Sequence, residues 1–430
     1  MPFDQMLFLF WFLPLTLALY WICPKRGRTA LLAAAGLIYC AQGMAAFLLA
    51  GGVLLSFGAG LLLERLRPKP AASGILLGGM ALLFCLAGVL GPRNPVFPLG
   101  LPFCLLALLA YLWDIRRGKL RAERNFLRFG AGMLFFPNLI AGPLIPYRRL
   151  AAQLDGRTPD VRMFSDGIAL FVKGLGKKLL LADPMAQTWQ GVQAMGSLPL
   201  LTAWTGLLAY VFGLYYLWSG YQDMARGLAL MLGIRLPAGF LHPYSARSLS
   251  GFVWRWNRTV IRWFRNYIYV PVSRGRVRGF YPAAGLLLAG GLYGAWQGTG
   301  WNMLAWGLLM GVFLLGERSL KGLGRVPAWL RRILALLAVL FGWTLMQAGS
   351  LEEWIRFLRA LCGQEGLADQ QALYLLSSNL TTFFLCILGL GNTFSRVRRY
   401  AERRFPFVYE SGKTLCVLAG LAVSLCYLVR

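Results

Sequence analysis

Apolar segments of spanning or near-spanning length recur along the whole chain. They lie at about 6–22, 30–63, 73–91, 96–113, 126–145, 198–218, 281–296, 301–316, 329–347, 372–391 and 411–429. A helix that crosses a bilayer needs roughly 20 apolar residues, so several of these segments are short or tilted and 30–63 is long enough for two short spans. Composition removes the competing classes. Of the 430 residues, 58% are hydrophobic and 14% are charged, against roughly a quarter charged in an ordinary soluble domain. A disordered chain needs low hydrophobicity, and a soluble fold cannot hide this much apolar surface. The expectation is an all-α polytopic membrane protein, residues 1–430 forming a single membrane domain of about eleven helices. No segment reads as a soluble domain, and no tandem repeat is evident.

Lys plus Arg number 44 against 16 Asp plus Glu, a formal net charge of +28. A nucleic-acid partner would account for that charge but not for the apolar runs, so none is expected. The cations cluster in loops, at Arg121–Arg128, Lys321–Arg332 and Arg396–Arg404. Such clusters set topology and contact anionic lipid, and a positive surface also steers an acidic partner such as a carrier protein. The eight cysteines show no CxxC pair, and most sit in or beside apolar runs as small hydrophobes. With one histidine, His242, a histidine-based metal site is not expected.

The start of the chain lacks the basic residues of a signal peptide. Asp4 precedes the first apolar segment and Lys25, Arg26 and Arg28 follow it. The positive-inside rule then puts the N-terminus outside and the 25–28 loop in the cytoplasm, which suits a bacterial cytoplasmic membrane.

The stretch 137–280 is different in kind, rich in Pro, Gly, Arg and Trp. Such segments are tolerated at membrane depth where they line a protein cavity. At about 100° per residue, Arg255, Arg258, Arg262 and Arg265 fall on one stripe of a helix. Val253, Trp256, Val260, Trp263, Phe264 and Tyr267 lie opposite, as in an amphipathic helix lying in the interface. The stripe suits lipid head groups or the phosphate of an acyl carrier, since guanidinium pairs with phosphate bidentately. Ser273-Arg274-Gly275-Arg276-Val277-Arg278 extends the same basic surface.

Several strings occur in order: Phe8-Leu9-Phe10-Trp11-Phe12-Leu13-Pro14, Pro98-Leu99-Gly100-Leu101-Pro102-Phe103, Asp114-Ile115-Arg116-Arg117-Gly118 and Phe136-Pro137-Asn138-Leu139-Ile140-Ala141-Gly142-Pro143. They continue with Gly174-Leu175-Gly176-Lys177-Lys178, Ser219-Gly220-Tyr221-Gln222-Asp223-Met224-Ala225, Pro243-Tyr244 and Trp254-Arg255-Trp256. This collinear set resembles the membrane-bound O-acyltransferase superfamily over about residues 6–320. Within it, the likeness is to the bacterial branch of alginate O-acetyltransferases and D-alanyl transfer proteins of teichoic acid. The resemblance implies a ring of tilted helices around a central funnel, with interfacial amphipathic helices and further spans over about 329–430. It also implies an acyl donor on the cytoplasmic side, acyl-CoA or an acyl-phosphopantetheine carrier, and an acceptor reached from outside. A histidine after the amphipathic segment would serve as general base.

At the matching positions this chain has lost its imidazoles. In Leu292-Tyr293-Gly294-Ala295-Trp296-Gln297-Gly298-Thr299-Gly300-Trp301-Asn302, the flanking Trp and Gly put Gln297 at the histidine position. Asn257 stands at the second, and Asn138 and Met310 at two further positions where relatives often carry histidine. Imidazole accepts a proton near neutral pH, whereas an amide only donates and accepts hydrogen bonds. Gln297 and Asn257 remain able to orient a hydroxyl or polarise a carbonyl and are expected to face one central polar cavity. His242 maps onto no family role.

Asp223 lies in an otherwise apolar stretch, where a carboxylate is costly and is paired or functional. Arg226 is the nearest partner in sequence, and Asp223 and Tyr221 are candidate binding residues. Lys177 and Lys178 are expected to snorkel to the cytoplasmic face. Two readings stand together. One is acyl transfer, of an acetyl-like group, to a cell-surface polymer or lipid-linked glycan, with an acyl carrier protein and an extracytoplasmic transferase as partners. The other is a non-catalytic relative that binds lipid or acyl carrier, or scaffolds an envelope complex.

The topology is directly testable. With cysteine placed at residue 4 or at residue 26, a membrane-impermeant thiol reagent added to intact cells should modify the first and spare the second. Modification of residue 4 from the cytoplasmic side alone would reverse the orientation.

Overall fold

Among the described residues of the computed structural model (2–40, 44–90, 100–140, 142–157, 160–298, 300–319, 326–391 and 393–429) the chain is helical and carries no strand. The early helices are α1 (Leu13–Ile22), α2 (Arg28–Cys40), α3 (Met44–Leu66), α4 (Pro70–Leu90), α5 (Gly100–Arg116), α6 (Phe126–Met133), α7 (Phe136–Leu139), α8 (Tyr147–Gly156) and α9 (Val161–Gly176). Then follow α10 (Asp183–Gln193), α11 (Leu200–Met231), α12 (Leu249–Arg255), α13 (Arg258–Phe264), α14 (Val270–Ser273), α15 (Phe280–Gln297) and α16 (Trp301–Ser319). The last are α17 (Ala328–Gln347), α18 (Leu351–Leu361), α19 (Gln370–Leu390), α20 (Thr393–Arg404) and α21 (Pro406–Val429). Residues 96–99, Ala141, Thr299 and 320–325, named among the motifs and basic loops above, lie outside the described residues.

Among the described residues, five stretches are long and apolar enough to cross a membrane: Leu49–Leu66, Leu200–Met231, Ala328–Gln347, Gln370–Leu390 and Phe407–Leu428. Phe8–Ile22, Arg28–Cys40 and Pro70–Cys85 are shorter apolar helices. The protein is thus an all-α, multi-pass membrane protein. Segment 30–63 does contain two helices, α2 and α3. Segment 126–145 is not one span, because Phe135 takes an extended conformation and Pro137 opens a new turn. Gly142 lies so close under Asn138 that a Cβ would collide with it. Helix α11 runs past the expected end at 218 and carries Tyr221 and Asp223 inside it.

The chain divides into two compact units, residues 1–175 with 221–238, and residues 176–220 with 239–430. In the first, α2 and α6 touch at Gly36, where a Cβ would strike the Leu134 carbonyl. The rings of Tyr111, Phe129 and Tyr147 pack at 4.7–5.6 Å. Glu123 organises the approach to α6. One carboxylate oxygen accepts from the Arg124 and Asn125 backbone N–H groups at 3.0 and 3.1 Å. The other accepts from Arg128 at 2.8 Å and the Tyr147 hydroxyl at 3.0 Å. Burial and this carboxylate raise the Tyr147 phenol above its ordinary pKa, so it stays a donor.

The second unit is built on the pair α15–α16. Gly290 and Gly294 of α15 face Gly307 of α16 so closely that any added Cβ would meet opposing backbone. In lipid, helices gain little from burying apolar surface against each other, and small residues permit the close van der Waals contact that holds them. The α16–α17 end is tied by Asn302 Nδ2 to the Met346 carbonyl at 2.7 Å and Trp301 Nε1 to the Gly349 carbonyl at 3.0 Å. Helix α18 is capped by Ser350, whose Oγ accepts from Glu353 N at 3.1 Å, while the Glu353 carboxylate accepts from the Gly349 N–H at 2.9 Å.

Gly307→Ala should therefore force α15 and α16 apart, at a cost of about 1–3 kcal/mol. Gly316→Ala, with nothing within 4 Å of the added methyl, should leave stability unchanged. Thermal unfolding of the detergent-solubilised proteins checks the contrast.

Candidate functional site

A cavity of about 220 Å³ opens in the second unit. Its walls come from α12, α13, α15, α16 and α17, and they are almost wholly apolar: Phe252, Trp256, Phe264, Tyr293, Trp306 and Trp343 supply rings, and Gly290, Gly307 and Gly311 supply bare backbone. The rings interlock. Trp306 stacks on Trp343 at 5.4 Å, Trp256 meets Trp343 at 5.0 Å, and Tyr293 lies 5.6 Å from Trp306. Arg265 and Arg318 are its cations. Arg318 donates to the Tyr269 hydroxyl at 3.1 Å and Arg265 lies 5.9 Å from the Trp254 ring centroid. No carboxylate or imidazole is among the lining residues.

The expected amphipathic helix through 253–267 is broken in two. Trp256 is only 5% exposed, locked among Tyr215, Phe240, Tyr244, Phe252 and Trp343 at ring distances of 5.0–6.2 Å. Asn257 turns left-handed there, at φ 39°, a conformation Asn adopts more readily than most residues. The gap is closed by backbone bonds to 239–241: Leu241 N to Arg255 O at 3.1 Å and Arg258 N to Gly239 O at 2.7 Å. Aromatic packing has overridden the helical period.

The break redistributes the arginines. Arg255 bonds Ser245 Oγ at 2.9 Å. Arg258 and Arg262 remain neighbours on α13, and burial together with the Arg262 charge lowers the Arg258 guanidinium below its usual pKa; it stays a cation. Arg265 reaches the cavity rim.

The two amides flank the cavity and do not line it. Gln297 ends α15 half-buried and donates through Nε2 to the Tyr293 hydroxyl at 3.1 Å. Asn257 is buried, next in sequence to Trp256. A polar cavity faced by both was expected; the cavity present is apolar, and the neighbours Tyr293 and Trp256 form its wall. Met310 lines it as well. Asn138 belongs to the first unit, beside a void of about 30 Å³, room for one water. Half-buried His242 heads the short turn Pro243–Ser245.

Asp223 and Tyr221 belong to the first unit. Asp223 pairs with Arg226 at 3.1 Å, as the sequence suggested, and with Lys173 at 3.7 Å. Tyr221 donates to Asp4 at 2.8 Å. Lys178 binds Asp183 at 2.8 Å. Arg318, Tyr269, Tyr293 and the Trp306–Trp343 stack escaped the sequence reading, although Gly290-x-x-x-Gly294 and Gly307-x-x-x-Gly311 mark the close helix pair that frames them.

Comparison with known proteins bears on the same region. The family model of membrane-bound O-acyltransferases matches residues 119–351, which include every residue lining the cavity. A protein described as probable alginate O-acetylase in Azotobacter vinelandii is 32% identical over 422 residues, 91% of this chain and 84% of that one. A peptidoglycan O-acetyltransferase of Helicobacter pylori is 30% identical over 64% of this chain and 58% of its own length. A teichoic acid D-alanyltransferase of Lacticaseibacillus rhamnosus is 26% identical over 54% and 60%. With the family match spanning the cavity and the likeness running nearly end to end, the chain belongs to the membrane-bound O-acyltransferase family.

Proposed function

We propose that this protein moves a small, acetyl-like acyl group from a thioester donor to a hydroxyl of a cell-surface polymer or lipid-linked glycan, at the bacterial cytoplasmic membrane. The observation that carries this reading is the apolar cavity with Arg265 and Arg318 among its lining residues and Tyr293 in its wall. An acyl-pantetheine arm would enter among the rings, and the two guanidiniums would meet the phosphate of acyl-CoA or of an acyl-phosphopantetheine carrier. Arg258 and Arg262 extend the positive field toward the donor. A carrier protein would be acidic and would be steered by the basic loops. The names of the relatives, acting on alginate, peptidoglycan and teichoic acid, support a polymeric acceptor.

In the reaction the acceptor oxygen bonds to the acyl carbon, the carbon–sulfur bond breaks, and the acceptor's proton ends on the released thiolate. A thiol leaves readily, its pKa being about 8.5. Gln297 does not titrate, so its part is positional: its amide holds the Tyr293 hydroxyl in the wall. The rate then lacks the factor of about 10²–10⁴ that a general base supplies.

The test uses the full chain in proteoliposomes with labelled acetyl-CoA and a soluble acceptor oligosaccharide. Wild type should transfer slowly, and Gln297→His should raise kcat by about 10²-fold or more. Arg265→Gln with Arg318→Gln should raise the donor KM about tenfold with kcat little changed, as loss of a charge-assisted contact does. Absence of transfer in both wild type and Gln297→His would defeat the reading. Wild-type turnover at an ordinary 1–10³ per second would mean that the base lies elsewhere and that Gln297 is not decisive.

A further inference from the structure

The tip between α14 and α15 is a second cationic feature, and none of residues 273–281 lines the cavity. Arg274 lies 4.3 Å from the Tyr281 ring centroid and Arg276 5.5 Å from it. One ring thus holds both guanidiniums within about one Debye length of each other. Among the described residues no carboxylate forms an ion pair with Arg274, Arg276 or Arg278. Two like charges gathered on one ring repel each other unless an anion joins them. Guanidinium takes phosphate oxygens in bidentate fashion, so a phosphate between the two relieves the repulsion.

The residues around this pair indicate where that phosphate resides. Val277 and Phe280 are each 79% exposed and flank the arginines in sequence. Phe280 also opens α15, an apolar helix of 18 residues. A soluble anion gives two such apolar side chains nothing to contact. A membrane surface does: the guanidiniums sit at phosphate level and the apolar side chains dip into the acyl boundary.

We propose that the 274–281 tip is a binding site for the phosphate headgroup of an anionic membrane lipid. Arg274 and Arg276 clamp the phosphate, Tyr281 holds the two guanidiniums, and Val277 and Phe280 anchor the tip beside the lipid chains. The site is independent of the acyl-transfer reading.

The test uses the full chain in detergent, stripped of lipid, and counts bound lipid by native mass spectrometry during titration. The probes are dioleoyl-phosphatidylglycerol, dioleoyl-phosphatidylcholine and inorganic phosphate. Wild type should retain one phosphatidylglycerol more than Arg274→Gln/Arg276→Gln. The double variant should bind it about ten- to thirtyfold more weakly and with less salt dependence, each arginine at an anionic surface being worth about fivefold. Tyr281→Phe keeps the ring and should bind as wild type, whereas Tyr281→Leu should weaken binding. Circular dichroism checks that each variant keeps its helices. Undiminished phosphatidylglycerol binding in the folded double variant would overturn the proposal. So would equal binding of phosphatidylcholine, or displacement of the lipid by inorganic phosphate at comparable concentration.

Discussion

Backbone contact between Gly290 and Gly307 is the interaction on which the cavity depends. With no side chain between them, α15 and α16 approach until carbonyl meets Cα, the kind of contact that holds helices together where apolar burial gives no net gain. Gly307 and Gly311 then present bare backbone to the cavity. Tyr293 meets Trp306, Trp306 stacks on Trp343 of α17, and Trp343 meets Trp256 beyond α12; the void forms where these large rigid rings meet the glycines. Its apolar character follows from this lining, which is bare glycine backbone on one side and rings and aliphatic side chains on the rest.

The few carboxylates are largely committed to the protein itself. Both oxygens of Glu317 accept backbone N–H groups at the start of α12, from Leu249 and Ser250 at 2.8 Å each. Glu365 receives Leu198 N at 2.5 Å, Glu353 serves the cap of α18, Glu123 organises the start of α6, and Asp223 answers Arg226. The chain has 16 acids against 44 bases, and among the described residues the arginines at the cavity and at the 274–281 tip form no ion pair with a carboxylate. On the proposals above, their charge is free to meet phosphate groups from outside the chain.

The architecture was legible where one physical rule acted alone. Long apolar runs became helices, the 30–63 segment became two, and the Asp223–Arg226 pair followed from the cost of a lone carboxylate in an apolar stretch. The reading failed where a non-local interaction outweighed a local one. The arginine stripe obeys the helical period on paper, but Trp256 is buried among five rings, four of them from outside its own helix, and the helix breaks beside it. Segment 126–145 has the composition of a span, yet Phe135 and Pro137 interrupt it. At the site, Gln297 and Asn257 were marked by motif, while the groups that wall the cavity come from α12, α13, α15, α16 and α17, and no spacing in sequence brings Trp306 onto Trp343. The glycine pairs were visible all along; what they bring together was not.

The left-handed turn at Asn257 acts as a filter on what this position can become. A φ of 39° is tolerated by Gly and by the few side chains that settle in that region, Asn, Asp and His among them, and refused by β-branched residues. The backbone thus admits an imidazole here with no change of path, and bars most apolar replacements. Loss or recovery of a titrating group at Asn257 is a one-residue event in conformational terms, so the fold can retain its shape while its chemistry drifts in either direction.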